Sequence, residues 1–586
     1  MKFANKIPCE VLKNPQSLKF SEKIRTYQGC PTIAVTKGGR IFLGWYSGGI
    51  REPHMENYNL LIYSDDGGKT WSEPNLIIPS SIERSVQALD IQLFIDPDDK
   101  LHLVWVQNNT EKLTEENTLD ENGNPRFFVD GYIFDDFTHA EWEIICENPD
   151  AENIEFSAPR YVYQGFLRCK PTFLKNGDWL LFAYDQLNDR YGYSITRDKG
   201  ETYEHYYGAK KLGTPFDEGM AYQMENGDVR MFARTYLGGF AESISKDNGL
   251  TWSEPILSDI SAPSSRLYVE KLPSGRVMLI HNDHKTDRTN MTVKLSDDDG
   301  KTWKYSKCID TRQNISYPDA SCYDGKIYLT YDWGRTDERE ILFTVFTEED
   351  IIMNNEIKIS TVSKPVIIPP KEEIINAVEK EKIVAIIRGV EKEKLIPLAE
   401  ALYNGGIRLL EITYSANGSV SDEETAESIK ALVDHFGDRM YIGAGTVLTK
   451  KQVRLTRGAG GCFIISPDTN ADVIRETFLC QMVSMPGALT PTEIRNAYDC
   501  GADFVKLFPV TSMGPEYVKA VKAPLSHVKL LAVGGIDETN METYLKAGVS
   551  GFGLGSNITD KKLIAQNDWE GITSLAKKYT SKLADK

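Results

Sequence analysis

The sequence lacks any uninterrupted apolar run of the roughly 18 residues that a membrane-crossing helix needs. Its opening stretch, MKFANKIPCEVLKN, has no apolar core of signal-peptide length. A cytoplasmic protein is therefore expected. Basic residues are in deficit: 67 Lys and Arg stand against 85 Asp and Glu, a net charge of −18. That balance argues against nucleic acid or an anionic membrane as a partner, while leaving room for local basic pockets that bind anions. The nine cysteines form no C-x-x-C pair and are odd in number, so neither a zinc ribbon nor a disulfide framework is indicated. The close histidine pair, His281 and His284 in HNDH, reads as a polar loop rather than a metal site. No metal and no cofactor is called for.

What is present divides the chain. At 586 residues it is too long for a single core, and about 150 residues per domain gives two to four domains. The first 350 residues or so are dense in short alternating apolar runs, aromatics and Gly/Asp turns, the texture of an all-β domain. Four segments repeat within them: SDDGGKTW, TRDKGETY, SKDNGLTW and SDDDGKTW, centred on Asp66, Asp198, Asp247 and Asp298. Their spacings are 132, 49 and 51 residues, so the first gap has room for one or two degenerate copies. A period near 50 with several strands per unit points to propeller blades. These segments resemble the Asp-box of sialidase-like propellers. In such a turn the aspartate accepts local backbone N–H groups, the glycine takes a conformation other residues resist, and the aromatic packs between strands. The resemblance implies a propeller over residues 1–350, with six blades expected.

Residues 351–371, ending in a Pro pair, read as a linker, and residues 372–586 alternate apolar strands with amphipathic helices. Eight strand candidates begin near residues 383, 408, 441, 462, 482, 504, 530 and 551, which fits a (β/α)₈ barrel. One strand contains an anomaly. In FVKLFP, Phe504, Lys506 and Phe508 share one face and Val505 and Leu507 the other. A lysine within a strand that is apolar on both faces is either a group whose head escapes at the strand end or a nucleophile with a lowered pKa. Arg388, Glu411, Thr446, Pro467 and Lys506 all fall toward the C-terminal ends of their strands, as do Gly534, Gly535, Gly555 and Ser556. In a barrel of this type that end forms the active site, and the loops after strands seven and eight form a phosphate site.

In order along the chain, IVAIIRG, LLEITY, IGAGTVL, ISPDTN, PGALTPTEI, FVKLFP, AVGGI and GLGSN resemble the 2-keto-3-deoxy-6-phosphogluconate aldolase family. The resemblance implies that Lys506 forms a Schiff base with a C2 ketone and that Glu411 is the general acid and base. It further implies that Arg388 and Thr446 help hold the pyruvate end, that Pro467 and Phe508 also bind substrate, and that Gly534, Gly535, Gly555 and Ser556 take the phosphate of a sugar-acid phosphate. A homotrimer is implied as well. Ser415 stands where many gluconate-type members carry arginine, and Val533 is similar to galactonate-type members; 4-hydroxy-2-ketoglutarate is a further substrate within the family.

For the propeller, the resemblance to sialidases implies an arginine cluster, a tyrosine with an acidic partner, and an acidic glycan as substrate. Arg234, Arg266, Arg335, Tyr317 and Glu218 are the candidates, although GCPT at 29–32 replaces an early arginine motif. A uronate lyase would instead draw on His54, Lys170 or Tyr331. A non-catalytic glycan-binding or scaffolding module is the third reading.

Overall fold

The computed structural model describes the chain apart from residues 1–5, 16–19, 21, 23–24, 50, 121–122, 124, 185–187, 215, 217, 366–368 and 584–586. The chain forms two compact units, one built on Arg25–Lys364 and one on Pro365–Lys586.

The first unit is a ring of six antiparallel sheets, each a propeller blade. The inner strands are Tyr27–Val35, Val86–Ile95, the short pair Phe166–Leu167 and Thr172–Phe173, Gly219–Gln223, Tyr268–Lys271 and Ile315–Tyr323. Asp-boxes follow the third strands of the first, third, fourth and fifth blades, which end at Ser64, Thr196, Ser245 and Ser296. In the first box the Asp66 carboxylate accepts the N–H groups of Lys69 and Thr70 at 3.0 and 2.9 Å, and Thr70 donates its hydroxyl at 2.7 Å. Gly68 sits at φ +84°, which a side chain would strain. The second blade carries no box, which accounts for the long first gap, and in the sixth the helix Glu348–Ile352 follows the third strand, Glu340–Phe346. The ring closes between its first and last blades. The Asp319 carboxylate accepts from Thr32 Oγ1 at 2.8 Å and Ile33 N at 2.9 Å, and Asp332 accepts Cys30 N at 2.9 Å.

The boundary differs from the sequence expectation. Ser360–Ser363, within the expected linker, pairs with Glu340–Phe346 as the outer strand of the sixth blade. Without it the edge of that blade would present unpaired backbone groups. Residues 366–368 of the same segment lie outside the described residues.

The second unit is a parallel barrel whose strands all fall at the eight expected places. The fifth strand is split at Pro486: Val483–Met485 pairs with the fourth strand and Gly487–Ala488 with the sixth. Proline has no N–H to give to a ladder, so the ring continues on either side of it. The first strand, Ile383–Ile387, pairs with both the second and the eighth, completing the circuit.

Candidate functional site

In the barrel, the sixth strand Val505–Leu507 is buried throughout, and Lys506 is 7% exposed. Val384, Ile465, Leu531, Val533 and Phe552 wall the space around its stem together with Glu411. Its ammonium lies 4.9 Å from the Phe508 ring centroid. Burial pushes the Lys506 pKa down; Glu411 pulls it the other way and Arg388 adds to the fall. Glu411, on the second strand Leu409–Thr413, is 1% exposed, and burial raises its pKa while Lys506 and Arg388 oppose that rise. One of its oxygens, Oε2, has no hydrogen-bond partner among the described residues. The seat for this carboxyl is on the next strand. A Cβ built on Gly445 would lie 1.5 Å from Glu411 Oε1, so the carboxyl occupies the room that the glycine leaves. Its strand neighbour at i−2, Gly443, makes room in the same way for the Phe463 ring.

Thr446 follows at φ +55°, the left-handed region, and its hydroxyl accepts from Arg388 Nη2 at 3.3 Å. Arg388 borders two cavities. One, of about 640 Å³, is also lined by Phe508, Gly534, Gly535, Gly555 and Ser556. The other, of about 440 Å³, reaches Ser415 and Thr446. Ser415 is held in its own turn by Asn417 Oδ1 at 2.8 Å and Ser419 Oγ at 2.9 Å. Pro467 lies just past the fourth strand with its carbonyl against Gly487. The mouth of the barrel therefore offers a buried amine, a buried carboxyl beside it, a guanidinium, and a glycine-lined recess.

In the propeller, a polar cluster lies at the end of the strands opposite the Asp-boxes. Tyr317 donates to Glu218 Oε1 at 2.8 Å and accepts from Arg168 Nη1 at 3.1 Å and Arg234 Nη1 at 3.0 Å. Arg168 also reaches Glu218 at 2.9 Å, Glu52 at 3.2 Å and Asp90. Arg335 stacks over the Tyr317 ring at 4.1 Å and is anchored by Asp332 at 2.9 Å. Arg288 lies 5.2 Å from the same ring. Glu218 is fully enclosed, yet Arg234 and Arg168 hold its carboxyl down at about 2 against that burial. Burial lifts the Asp90 carboxyl to about 6.

Glu218, Arg234, Tyr317 and Arg335 thus come together as expected, and Arg266 does not serve as expected. It is 3% exposed and donates to the carbonyls of Arg168, Pro31 and Tyr317 at 2.8, 2.9 and 3.2 Å, an interblade tie rather than a ligand grip. His54 is buried against its own loop, accepting Glu56 N at 3.2 Å, with Asp130 at 3.6 Å from its other nitrogen. Tyr331 donates to Asp310 at 2.8 Å, and Lys170 bonds the carbonyls of Ile33 and Ala320. Glu52, Asp90, Arg168 and Arg288 were missed. The signal available for Arg168 was a charge set between buried Leu167 and Cys169.

A family model described as KDPG and KHG aldolase matches residues 374–575. Models for a BNR repeat-like domain and a BNR/Asp-box repeat match residues 142–329 and 62–73. The chain is 36% identical over 180 residues to the 2-dehydro-3-deoxy-6-phosphogalactonate aldolase of Escherichia coli (strain K12), covering 30% of this chain and 85% of that protein. It is 32% identical over 210 residues to the 2-dehydro-3-deoxy-phosphogluconate aldolase of Haemophilus influenzae, covering 35% of this chain and 94% of that protein. Among solved structures, the intramolecular trans-sialidase from Ruminococcus gnavus aligns with a TM-score of 0.44 and 16% identity, over 59% of this chain and 99% of that one.

Proposed function

Since this chain belongs to the KDPG and KHG aldolase family, we propose that its barrel cleaves a 2-keto-3-deoxy-6-phospho sugar acid to pyruvate and glyceraldehyde 3-phosphate through a Schiff base on Lys506. The neutral amine adds to the C2 ketone, and loss of water leaves an iminium. Glu411 shuttles the protons of that dehydration and takes the proton of the C4 hydroxyl. The C3–C4 electron pair then flows into the iminium, giving an enamine and releasing the aldehyde. Glu411 next delivers a proton to C3, and water returns pyruvate and the free amine. The iminium is the electron sink, so no step calls for a metal. Arg388 and Thr446 hold the substrate carboxylate, Pro467 and Phe508 border the pyruvate end, and Gly534, Gly535, Gly555 and Ser556 receive the phosphate.

The observation that carries this reading is the Lys506–Glu411 pair, buried together with one pKa lowered and the other raised. Such a pair is suited to exchanging protons between its two members. The test is borohydride reduction with pyruvate: wild type should gain a stable adduct at Lys506, and an adduct formed equally by Lys506→Ala would sink the assignment. Ser415 and Val533 favour the galactonate epimer, and assaying both C4 epimers, with 4-hydroxy-2-ketoglutarate alongside, decides it. A homotrimer in the cytoplasm belongs to the same reading, and light scattering tests the trimer. For the propeller, the guanidinium groups around Tyr317 favour an acidic sugar as ligand, because the planar fork of arginine matches a carboxylate.

A further inference from the structure

Resting on the reading of the barrel as an aldolase for a 6-phospho sugar acid, we propose that four side chains beside the glycine-lined recess decide its preference for a phosphate terminus. Thr511, Asn540 and Asn557 act as positioning residues that fix the backbone of the recess, and Lys561 supplies an uncommitted positive charge. The argument starts from the loop after the seventh barrel strand, where Gly534 and Gly535 stand in the left-handed region at φ +92° and +75°. Two such glycines give a free loop many conformations. Here three consecutive carbonyls are held. Thr511 Oγ1 donates to Gly534 O at 2.7 Å, Asn540 Nδ2 to Gly535 O at 2.9 Å, and Asn557 Nδ2 to Ile536 O at 2.6 Å.

A trans peptide turns its N–H opposite to its carbonyl. With the carbonyls of Gly534 and Gly535 bound to Thr511 and Asn540, the N–H groups of Gly535 and Ile536 face the other way. Both residues line the recess, and among the described residues neither N–H has an acceptor. The loop after the eighth strand is arranged alike. Gly555 O accepts from Ile558 N at 2.9 Å, Thr559 N at 3.0 Å and Thr559 Oγ1 at 2.9 Å, which turns the N–H of Ser556 away from them, again with no acceptor among the described residues. Asn557 joins the two loops, since it belongs to the second and holds a carbonyl of the first. Backbone N–H groups fixed around one concavity suit an anion with several acceptor oxygens.

Thr511 also ties the recess to the reactive lysine, from which it is five residues removed. Val510 N donates to Val533 O at 3.0 Å, and the Phe508 ring lies 3.5 Å from where a Cβ on Gly534 would be. A Cβ on Gly535 would lie 2.2 Å from Thr511 Oγ1, so the loop is seated directly on that hydroxyl. A phosphate fixed by this loop is thereby fixed relative to the amine of Lys506, which is how a remote group helps orient the reacting carbon. The charge of the recess points the same way. Its basic lining residues are Arg388, Lys394 and Lys561, and its acidic one is Glu391, which pairs with Lys394 at 3.1 Å. Asp537 and Asp560, on the two loops, accept N–H groups of their own turns at 2.8–3.1 Å. Lys561 makes no ion pair among the described residues. A phosphate ester carries about −1.5 to −2 charges at pH 7, against one for a carboxylate, so an unspent ammonium beside these N–H groups favours the phosphate.

The experiment uses the full chain and three substrates: the 6-phospho sugar acid, the same 2-keto-3-deoxy sugar acid without its phosphate, and 4-hydroxy-2-ketoglutarate. Wild type should favour the phosphorylated substrate in kcat/KM over both others. Lys561→Gln and Thr511→Val should each raise KM for that substrate by about tenfold, the scale of one lost hydrogen bond to a charged group, and shrink the preference by the same factor while kcat holds. Thr511→Ser, which keeps the hydroxyl, should keep the wild-type KM. Borohydride trapping of pyruvate at Lys506 verifies the folded barrel in each variant. A preference untouched in Lys561→Gln or in Thr511→Val, or lost equally in Thr511→Ser and Thr511→Val, would overturn the proposal and leave the aldolase reading standing. Equal kcat/KM of wild type for the sugar acids with and without phosphate would overturn the proposal and the phosphate assignment together. Wild type that neither cleaves any of the three nor traps pyruvate would overturn the aldolase reading itself.

Discussion

At the residue scale, the chemistry of the barrel depends on two groups whose pKa values move toward each other. Lys506 titrates below the ordinary lysine value of about 10.4 because its ammonium is buried among apolar side chains. Between that lowered value and about 10.4 the folded protein holds fewer protons than the unfolded chain, so this group makes stability rise with pH across that window. Glu411 is raised, so just above the ordinary carboxylate value the folded state holds more protons and its contribution falls as pH rises. The rate of adduct trapping by pyruvate and borohydride should therefore climb with a midpoint below about 10.4. In Glu411→Gln that midpoint should fall further, because the carboxylate that favours the ammonium is gone. The same variant should turn over about 10²–10⁴-fold more slowly while still trapping pyruvate. Gly445→Ala should reproduce this phenotype with both reactive residues still present, since its methyl would take the place of the Glu411 carboxyl and displace it. Adding Glu411→Asp, one carbon shorter, should recover part of the pyruvate C3 proton exchange. An alanine at 445 with wild-type exchange would show that the glycine serves packing alone.

At the scale of elements, the strands were legible because each is a short apolar run between turn residues, and the four Asp-boxes because each is complete within eight residues. The split of the fifth barrel strand at Pro486 was not, since its two halves serve different neighbours. Nor was the outer strand Ser360–Ser363, whose partner alone gives it a reason to extend. The aldolase residues could be placed because barrel strands put them at one rim, whereas the propeller cluster also draws Glu52, Asp90, Arg168 and Arg288 from several blades. Read singly, each looks like a surface charge. Sequence also cannot say whether an arginine faces a ligand or a carbonyl, and Arg266 faces three carbonyls. Its replacement by Leu should leave buried acceptors unpaired at about 1–3 kcal/mol each. The propeller melting temperature should drop accordingly, and Lys should not restore it, because a single ammonium does not reproduce the arginine fork. A melt unchanged in Arg266→Leu would remove the interblade tie from the account.

At the scale of the whole molecule, the two units each complete a ring from their own chain. The propeller joins its first and last blades through Asp319 and Asp332, and the barrel joins its first strand to its eighth. The barrel core, from Ile374 to Tyr579, is drawn wholly from the second unit, and the propeller cores wholly from the first. A unit with its own closed sheet and its own core has what cooperative unfolding requires. Calorimetry of the full chain should therefore resolve two transitions, and each should answer only to changes within its own unit. A ligand that binds one native unit stabilises that unit by about 2.7 kcal/mol at a hundred times its dissociation constant. Pyruvate should accordingly raise the barrel transition alone, and Lys506→Ala should abolish that rise. Arg266→Leu should lower the propeller transition alone. If pyruvate moves both transitions together, or if only one transition exists and both perturbations shift it, the units are thermodynamically one body and the fusion does more than hold two folds on one chain.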